Sequence, residues 1–406
     1  MNYNIESDII KTCFLLIHLL RTTYNERKKY INGICKGRRY MNIFKRSFLV
    51  ILIILTSVVQ TGSVKMIYQK ALHSQESSIQ SASSRIARNY LKYKSTSTTV
   101  WGIGGTHIPT VNIYKHLAFQ GVDNTLVVML NIKYDKDPNP SMFSDNIVNK
   151  ALSNANKANV KTTMLKLHLG IDYCDSYTRS AYHPNEKIFF KNWKSICLHY
   201  AQMCNDNNIP ILCIGCEQSQ QTVDANYSYW EDIVSTIRNQ YPNLLLTYAA
   251  NSSEYKVDTP LKFWGLLDFI GFNMYFHYTD KLVSENPTLD ELIQSYYAPI
   301  FNGKSMIDLI NMHANAFNKK VFITETGLMP KDIGLSKAYD ESSTNEPTTY
   351  DGISLAIRAV CDGLCQNSNI VGFSWWHASS PFNYFNDNEV TSAEQTMHDY
   401  IKGGLI

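Results

Sequence analysis

The sequence holds no apolar run of the length that ordinarily spans a bilayer. Its longest, Phe48–Val59, has 12 residues, against the roughly 20 of a spanning helix. It also lacks a strong charge of one sign. With 38 Lys and Arg against 35 Asp and Glu, the formal charge is +3, too little to argue for a nucleic-acid partner. Charged residues make up only 18% and hydrophobic residues 44%, an ordinary globular balance that leaves a sizeable core. No internal repeat recurs at 20–50 residue spacing, which argues against a solenoid or propeller. Aromatic residues, in contrast, are plentiful: 26 Tyr, 17 Phe and 6 Trp. Rings in such number serve core packing or the stacking of sugars.

The positive charge is concentrated at one end. Ten of the basic residues but three of the acidic ones fall within residues 1–46, so the remainder is slightly acidic. The apolar run follows Lys45 and Arg46, with Met41 upstream and the small residues Thr61, Gly62 and Ser63 downstream. Residues 1–62 read as a basic segment with a signal peptide, or as an uncleaved anchor if translation starts at Met1. Both readings place the bulk of the chain outside the cytosol, secreted or membrane-anchored. Membrane contact is then limited to the N-terminal run. Two sequons, Asn226-Tyr227-Ser228 and Asn251-Ser252-Ser253, agree with export. Seven cysteines lie beyond the run, and an odd number leaves at least one without a partner in the chain. They read mainly as small buried apolar groups, with one or two disulfides open and no structural metal site. Residues 63–98 are rich in Ser, Gln and Lys and read as a linker. Residues 99–406 then form one domain.

That domain alternates short apolar runs with segments of helical spacing. Strands are expected at Val100–Ile103, Thr125–Ile132, Thr162–Leu169, Ile209–Ile214, Leu244–Ala249, Phe269–Tyr275, Val321–Thr324 and Ile370–Trp376. Helices are expected at Val111–Phe119, Asp145–Ala158, Ile188–Asn205, Tyr227–Gln240, Leu261–Leu267, Ser305–Phe317, Tyr350–Cys365 and Ala393–Ile401. The strands are apolar throughout, as parallel strands covered on both faces are. Eight strand-then-helix units predict an α/β fold, the (β/α)8 TIM barrel. A doubly wound sheet is the alternative, but it more naturally has five or six units.

In such a barrel, functional side chains project from the C-terminal ends of the strands. Strand three ends Lys166-Leu167-His168, with Lys166 and His168 on one face. Strand four ends in Glu217, strand five at Asn251, strand six at Tyr275, strand seven in Glu325 and strand eight at Trp375-Trp376. A carboxylate after an apolar run is costly unless paired or functional. Glu217 and Glu325 stand 108 positions apart, yet strands four and seven face each other across a barrel. Two facing carboxylates form the glycosidase constellation, where a separation of about 5–5.5 Å implies retention and about 6.5–9.5 Å inversion. The proton donor of such a pair needs a raised pKa. A plainer reading of either Glu is a rim salt bridge, for instance with Lys166. His168 reads as a structural or a cleft histidine. Tyr275 either lines the lumen or bonds the nucleophile, and one of the two tryptophans reads as a sugar platform.

At these residues the chain resembles the family 113 glycoside hydrolases. The resemblance runs from about Val100 to Trp376 through TTMLKLHLGIDY (162–173), IPILCIGCEQ (209–218), LLLTYAAN (244–251), FWGLLDFIGFNMYF (263–276), VFITETGLMP (321–330) and GFSWW (372–376). It implies a retaining endo-β-1,4-mannanase, with Glu217 as acid/base and Glu325 as nucleophile. His168, Asn251, Tyr275 and Trp376 then match positions near the substrate cleft, and Lys166 joins them. The implied partner is a polysaccharide or oligosaccharide. No metal or organic cofactor is expected, since two carboxylates, water and a cleft suffice. Two departures bear on specificity. Cys216 precedes Glu217 where many related barrels carry an Asn for the sugar 2-hydroxyl. The Trp-Arg pair that usually follows strand three is replaced by Tyr177 and Arg179 at shifted spacing. A β-glycosidase of other specificity and a catalytically altered carbohydrate-binding barrel are the alternatives.

Overall fold

Hydroxyl residues, not apolar ones, build the first strand. The computed structural model describes residues 91–175, 177–339 and 346–406, and within them β1 runs Tyr93–Val100 with sequence YKSTSTTV. Ser95, Thr96, Ser97 and Thr98 are fully buried. Their hydroxyls meet partners on neighbouring elements: Ser95 to Thr125 at 2.9 Å, Ser97 to Ser374 at 2.8 Å, Thr96 to Tyr384 at 2.7 Å and Thr98 to Asn124 at 2.8 Å. A buried hydroxyl is tolerated once it is paired, and threonine's branched Cβ suits a strand. This corrects two expectations. The linker expected over 63–98 overlaps the first six residues of β1, and the strand expected at Val100–Ile103 lies seven residues earlier. Ile103–Gly105 is instead a 3-10 turn. The apolar run, the basic segment and the linker up to residue 90 lie outside the described residues.

Seven further strands complete the sheet: β2 (Asp123–Ile132), β3 (Thr162–Ile171), β4 (Ile211–Cys216), β5 (Leu245–Ala250), β6 (Phe269–Asn273), β7 (Lys320–Thr326) and β8 (Ile370–Trp375). All pair in parallel, and β8 closes onto β1 through Tyr93–Gly372 to Thr96–Trp375. The fold is the expected (β/α)8 barrel. Its helices are α1 (Val111–Gln120), α2 (Asp145–Lys157), α3 (Glu186–Asp206), α4 (Tyr227–Gln240), the single turn α5 (Ser252–Tyr255), α6 (Leu289–Ser295), α7 (Met306–Phe317), α8 (Asp351–Asp362) and α9 (Ser392–Ile401). After β5 the layer is thin, because the helix expected at Leu261–Leu267 is a 3-10 segment, Lys262–Leu266. After β6 it is extended by α6 and a small hairpin, Pro299–Phe301 with Lys304–Ser305, which the sequence pattern did not suggest. Ser144 is the N-cap of α2, and Asp145 in its first turn binds His199 at 2.8 Å.

Burial on both faces explains the continuous apolar strands. Leu126 to Leu130 of β2 are all within 1% of full burial, each side chain contributing roughly 1.5–3 kcal/mol of transfer free energy. A separate buried cluster joins Tyr93, Met164, Ile211, Cys213, Cys216, Ala249 and Phe322. These residues come from β1, β3, β4, β5 and β7, which share only the barrel interior. They plug the lumen, as layers of inward side chains do in this fold, and leave the C-terminal rim for chemistry.

Cys197, Cys204, Cys213 and Cys216 are buried free thiols, which fits the reading as small apolar groups. The Asn226 sequon is spoken for, since its side chain is buried and donates to the Gln220 carbonyl at 3.3 Å. Among the described residues, no helix is long and apolar enough to cross a membrane.

Candidate active site

The strands deliver both carboxylates to one cluster. Glu325, the sixth residue of β7, is buried at 3% exposure. Its Oε1 meets the Lys166 ammonium in a buried ion pair. Its Oε2 accepts a hydrogen bond from the Tyr275 hydroxyl at 2.7 Å. Cys216 Sγ stands 3.8 Å from Oε1. Both oxygens are thus held before any ligand arrives. Lys166 is fully buried, and burial alone would lower its pKa. The Glu325 carboxylate facing it outweighs that and holds the ammonium above the usual lysine value. Burial pushes the Cys216 thiol well up, so it is a protonated thiol beside a carboxylate.

Glu217 follows the last residue of β4, in the left-handed region at φ +54°. The register between β4 and β5 shifts between Cys213 and Cys216, and this irregularity turns the strand end. Glu217 Oε1 accepts from Asn273 Nδ2 at 2.9 Å, and Oε2 accepts from Arg179 Nη2 at 2.9 Å. Arg179 reaches Asp175 with its other terminal nitrogen at 2.7 Å, and Asp175 also pairs with His168 Nε2 at 2.9 Å. Burial pushes the Glu217 carboxyl up, but Arg179 and then Asn273 outweigh it and bring its pKa below the usual glutamate value. The raised value expected of a proton donor is therefore absent from the resting site, and the cause is the guanidinium.

Asn273 ties the two halves together. Its Nδ2 touches both Glu217 and, at 3.4 Å, Cys216 Sγ. Its Oδ1 accepts from Thr324 at 2.9 Å and Lys166 at 3.5 Å. Trp376 lies over Lys166, with Nζ 5.6 Å from the ring, and stacks at 6.0 Å on His168. Gly327 lets β7 pass this tryptophan, because a Cβ there would fall 1.9 Å from the Trp376 carbonyl oxygen. His377 Nδ1 accepts from the Ser379 N–H at 3.1 Å, so its Nε2–H donates to Thr99 at 2.6 Å. Burial brings this imidazole down to about 4, and it is neutral.

Of the residues singled out in the sequence, Lys166, His168, Glu217, Tyr275, Glu325 and Trp376 converge. Asn251 does not join the carboxylates. Its Oδ1 caps α5 through the Ser253 N–H at 3.1 Å. Sequence reasoning passed over Asn273 and Asp175. Asn273 had a visible signal, as a polar residue at the end of an apolar strand.

His168, Cys216 and Glu325 offer donor atoms within 4.8 Å of one another. The Lys166 ammonium already occupies the Glu325 carboxylate there, and with Arg179 close by the local field opposes a cation. Cys213 and Cys216 make a C-x-x-C spacing, but the Cys213 thiol turns to the Gly215 carbonyl at 3.3 Å and stands outside that donor group.

The family model for Glycoside Hydrolase Family 113 matches residues 114–399. The chain belongs to that family. Solved structures with the same fold include a GH113 beta-1,4-mannanase at 15% identity and TM-score 0.59, covering 77% of this chain and 99% of that one. The GH113 beta-mannanase of Alicyclobacillus acidocaldarius, in complex with ManMIm, is 16% identical with TM-score 0.57 over 76% of this chain and 96% of that one. At such identities the likeness shows the barrel. A comparison with curated protein sequences gives no significant match. Family and fold together make this barrel a glycoside hydrolase, and its substrates are polysaccharides or oligosaccharides.

Proposed function

We propose that this family 113 barrel hydrolyses a β-linked polysaccharide with net retention, β-1,4-mannan being the first candidate. The observation that carries the reading is the pinned carboxylate of Glu325, held by Lys166 on one oxygen and Tyr275 on the other, with Glu217 across Asn273. In the first step Glu325 attacks the anomeric carbon while protonated Glu217 gives its proton to the departing glycosidic oxygen. In the second, Glu217 takes a proton from water, the water oxygen bonds to the anomeric carbon, and the Glu325 ester bond breaks. Lys166 and Tyr275 orient the nucleophile and stabilise the carboxylate as it leaves. Buried His168 Nδ1 and Arg179 Nε have no hydrogen-bond partner among the described residues. Trp376 supplies an apolar face for a pyranose.

Family membership supports mannan as the first candidate. Cys216 beside Glu217 favours a second reading, a β-glycosidase of other specificity, because a thiol is a poor substitute for an amide toward a sugar hydroxyl. Hydrolysis of soluble mannans, glucans and xylans, with the product anomer followed by NMR, separates these readings. An α-configured first product would remove the retaining mechanism, and inactivity on every β-glycan would remove the reading itself. We further propose export of the barrel, secreted or anchored, from the basic-apolar pattern of residues 45–63. N-terminal sequencing of the protein recovered from culture medium and membranes tests it, and recovery from the cytosol alone would refute it.

A further inference from the structure

A carboxylic acid lies buried behind the site with no role in the chemistry above. Glu254, on the single turn α5, is 3% exposed. It accepts from Thr222 Oγ1 at 2.7 Å, from the Tyr248 hydroxyl at 3.0 Å and from the Asn251 N–H at 2.8 Å. Three neutral donors surround it. Burial pushes this carboxyl up to about 7, so the position is costly for an acid. Its bond to the Asn251 N–H closes the capping box of α5, and its other oxygen is left to Thr222 and Tyr248.

What the acid does is orient Tyr248. With the phenol proton committed to Glu254, an oxygen lone pair of Tyr248 accepts the Gln218 backbone N–H at 2.6 Å. Gln218 follows Glu217 directly. The Glu217 N–H itself donates to the Ala249 carbonyl at 2.8 Å, one residue along β5 from Tyr248. The two peptide planes that flank Glu217 are therefore both tied to β5, which fixes its φ and ψ together. The Tyr248 ring also fills the space beside Gly215, where an added Cβ would lie 3.0 Å from ring carbon Cε2. Left-handed backbone at a glutamate is unfavourable, so something must hold it.

We propose that Tyr248 and Glu254 are positioning residues that lock the left-handed backbone of Glu217 and thereby set the direction in which it delivers its proton. The inference rests on the reading of Glu217 as acid/base. Misdirecting a general acid harms substrates whose leaving group needs a proton and spares those whose leaving group departs unaided.

The test compares kcat/KM of wild type and Tyr248→Phe on a dinitrophenyl glycoside and on an unactivated oligosaccharide of the same sugar. Loss on the oligosaccharide is expected at about 10- to 100-fold, with the dinitrophenyl substrate within about threefold. Equal losses on both, or no loss on either, would overturn the proposal. Glu254→Gln keeps the side-chain size and should show the same split at smaller amplitude. If Tyr248→Phe does not fold, that variant decides by the same criterion. Wild type inactive on both substrates would overturn the glycosidase reading and this role with it. Wild type active with no split in either variant would overturn the positioning role alone.

Discussion

The guanidinium of Arg179 lies 2.9 Å from Glu217, and that contact keeps the candidate proton donor ionised in the resting site. The alkaline limb of kcat/KM reports the free-enzyme pKa of the essential acid. Removing the cation in Arg179→Met takes away the main influence that lowers the Glu217 pKa, leaving burial to raise it. The alkaline limb should move to higher pH. The same contact bears on stability. A carboxylate with a depressed folded-state pKa stabilises above its unfolded value of about 4.3, and loses that contribution as pH falls through the folded value. The acid-unfolding midpoint should therefore shift upward in the variant. An unmoved pH–rate profile would contradict the assignment.

Lys166 and Glu325 form the buried pair at the centre of the site. Glu325→Ala should abolish turnover and also strand a buried ammonium. Stranding one partner of such a pair costs about 3–5 kcal/mol, whereas replacing both by apolar groups can be nearly neutral. Thermal melts should thus show a large loss in Glu325→Ala and substantial recovery in the double variant Lys166→Met/Glu325→Ala, which stays inactive. Additive losses would show that the pair is not coupled.

Tyr275 donates to the second oxygen of Glu325. In Tyr275→Phe the ring keeps its packing and only the hydroxyl goes. A kcat about 10- to 100-fold lower, with KM changed much less, is expected if the bond orients the nucleophile during reaction. Steady-state kinetics on one soluble substrate decides. A rise in KM with constant kcat would assign the hydroxyl to ground-state sugar binding.

The barrel was legible because its strands are apolar, buried on both faces and followed by helices of clear period. Glu217 and Glu325 were legible as charges that interrupt such runs. β1 was not, because six of its eight residues are Lys, Ser or Thr, and their burial depends on hydroxyl partners up to 288 positions away. The capping role of Asn251 was not legible, because an Asn at a strand end reads alike whether it meets a sugar or caps a helix. The low pKa of Glu217 was hidden for a related reason. Arg179 opens a short 3-10 turn, Arg179–Ala181, and only tertiary structure brings its guanidinium to the carboxylate.

Glu254 gives a prediction of opposite sign to Glu217. Its folded-state pKa, raised to about 7 chiefly by burial, means that the native state keeps a proton the unfolded chain has lost above about 4.3. Its contribution to stability therefore declines as pH rises across that window and is level above it. Glu254→Gln carries no such proton. The difference in Tm, variant minus wild type, should grow from pH 4.5 to pH 7 and then stay constant. A difference independent of pH would show that Glu254 is ionised throughout.

The hydroxyl-built first strand has a practical consequence for anyone who isolates this domain. The segment matched to the family begins at residue 114, inside α1 and beyond the whole of β1. A gene trimmed to that segment would encode a ring with one stave missing. β2 and β8 would lose their common neighbour and present two open edges of unpaired backbone, the template for aggregation. The shortest chain expected to stay monodisperse starts before Tyr93, so the unit that folds is longer than the segment matched to the family.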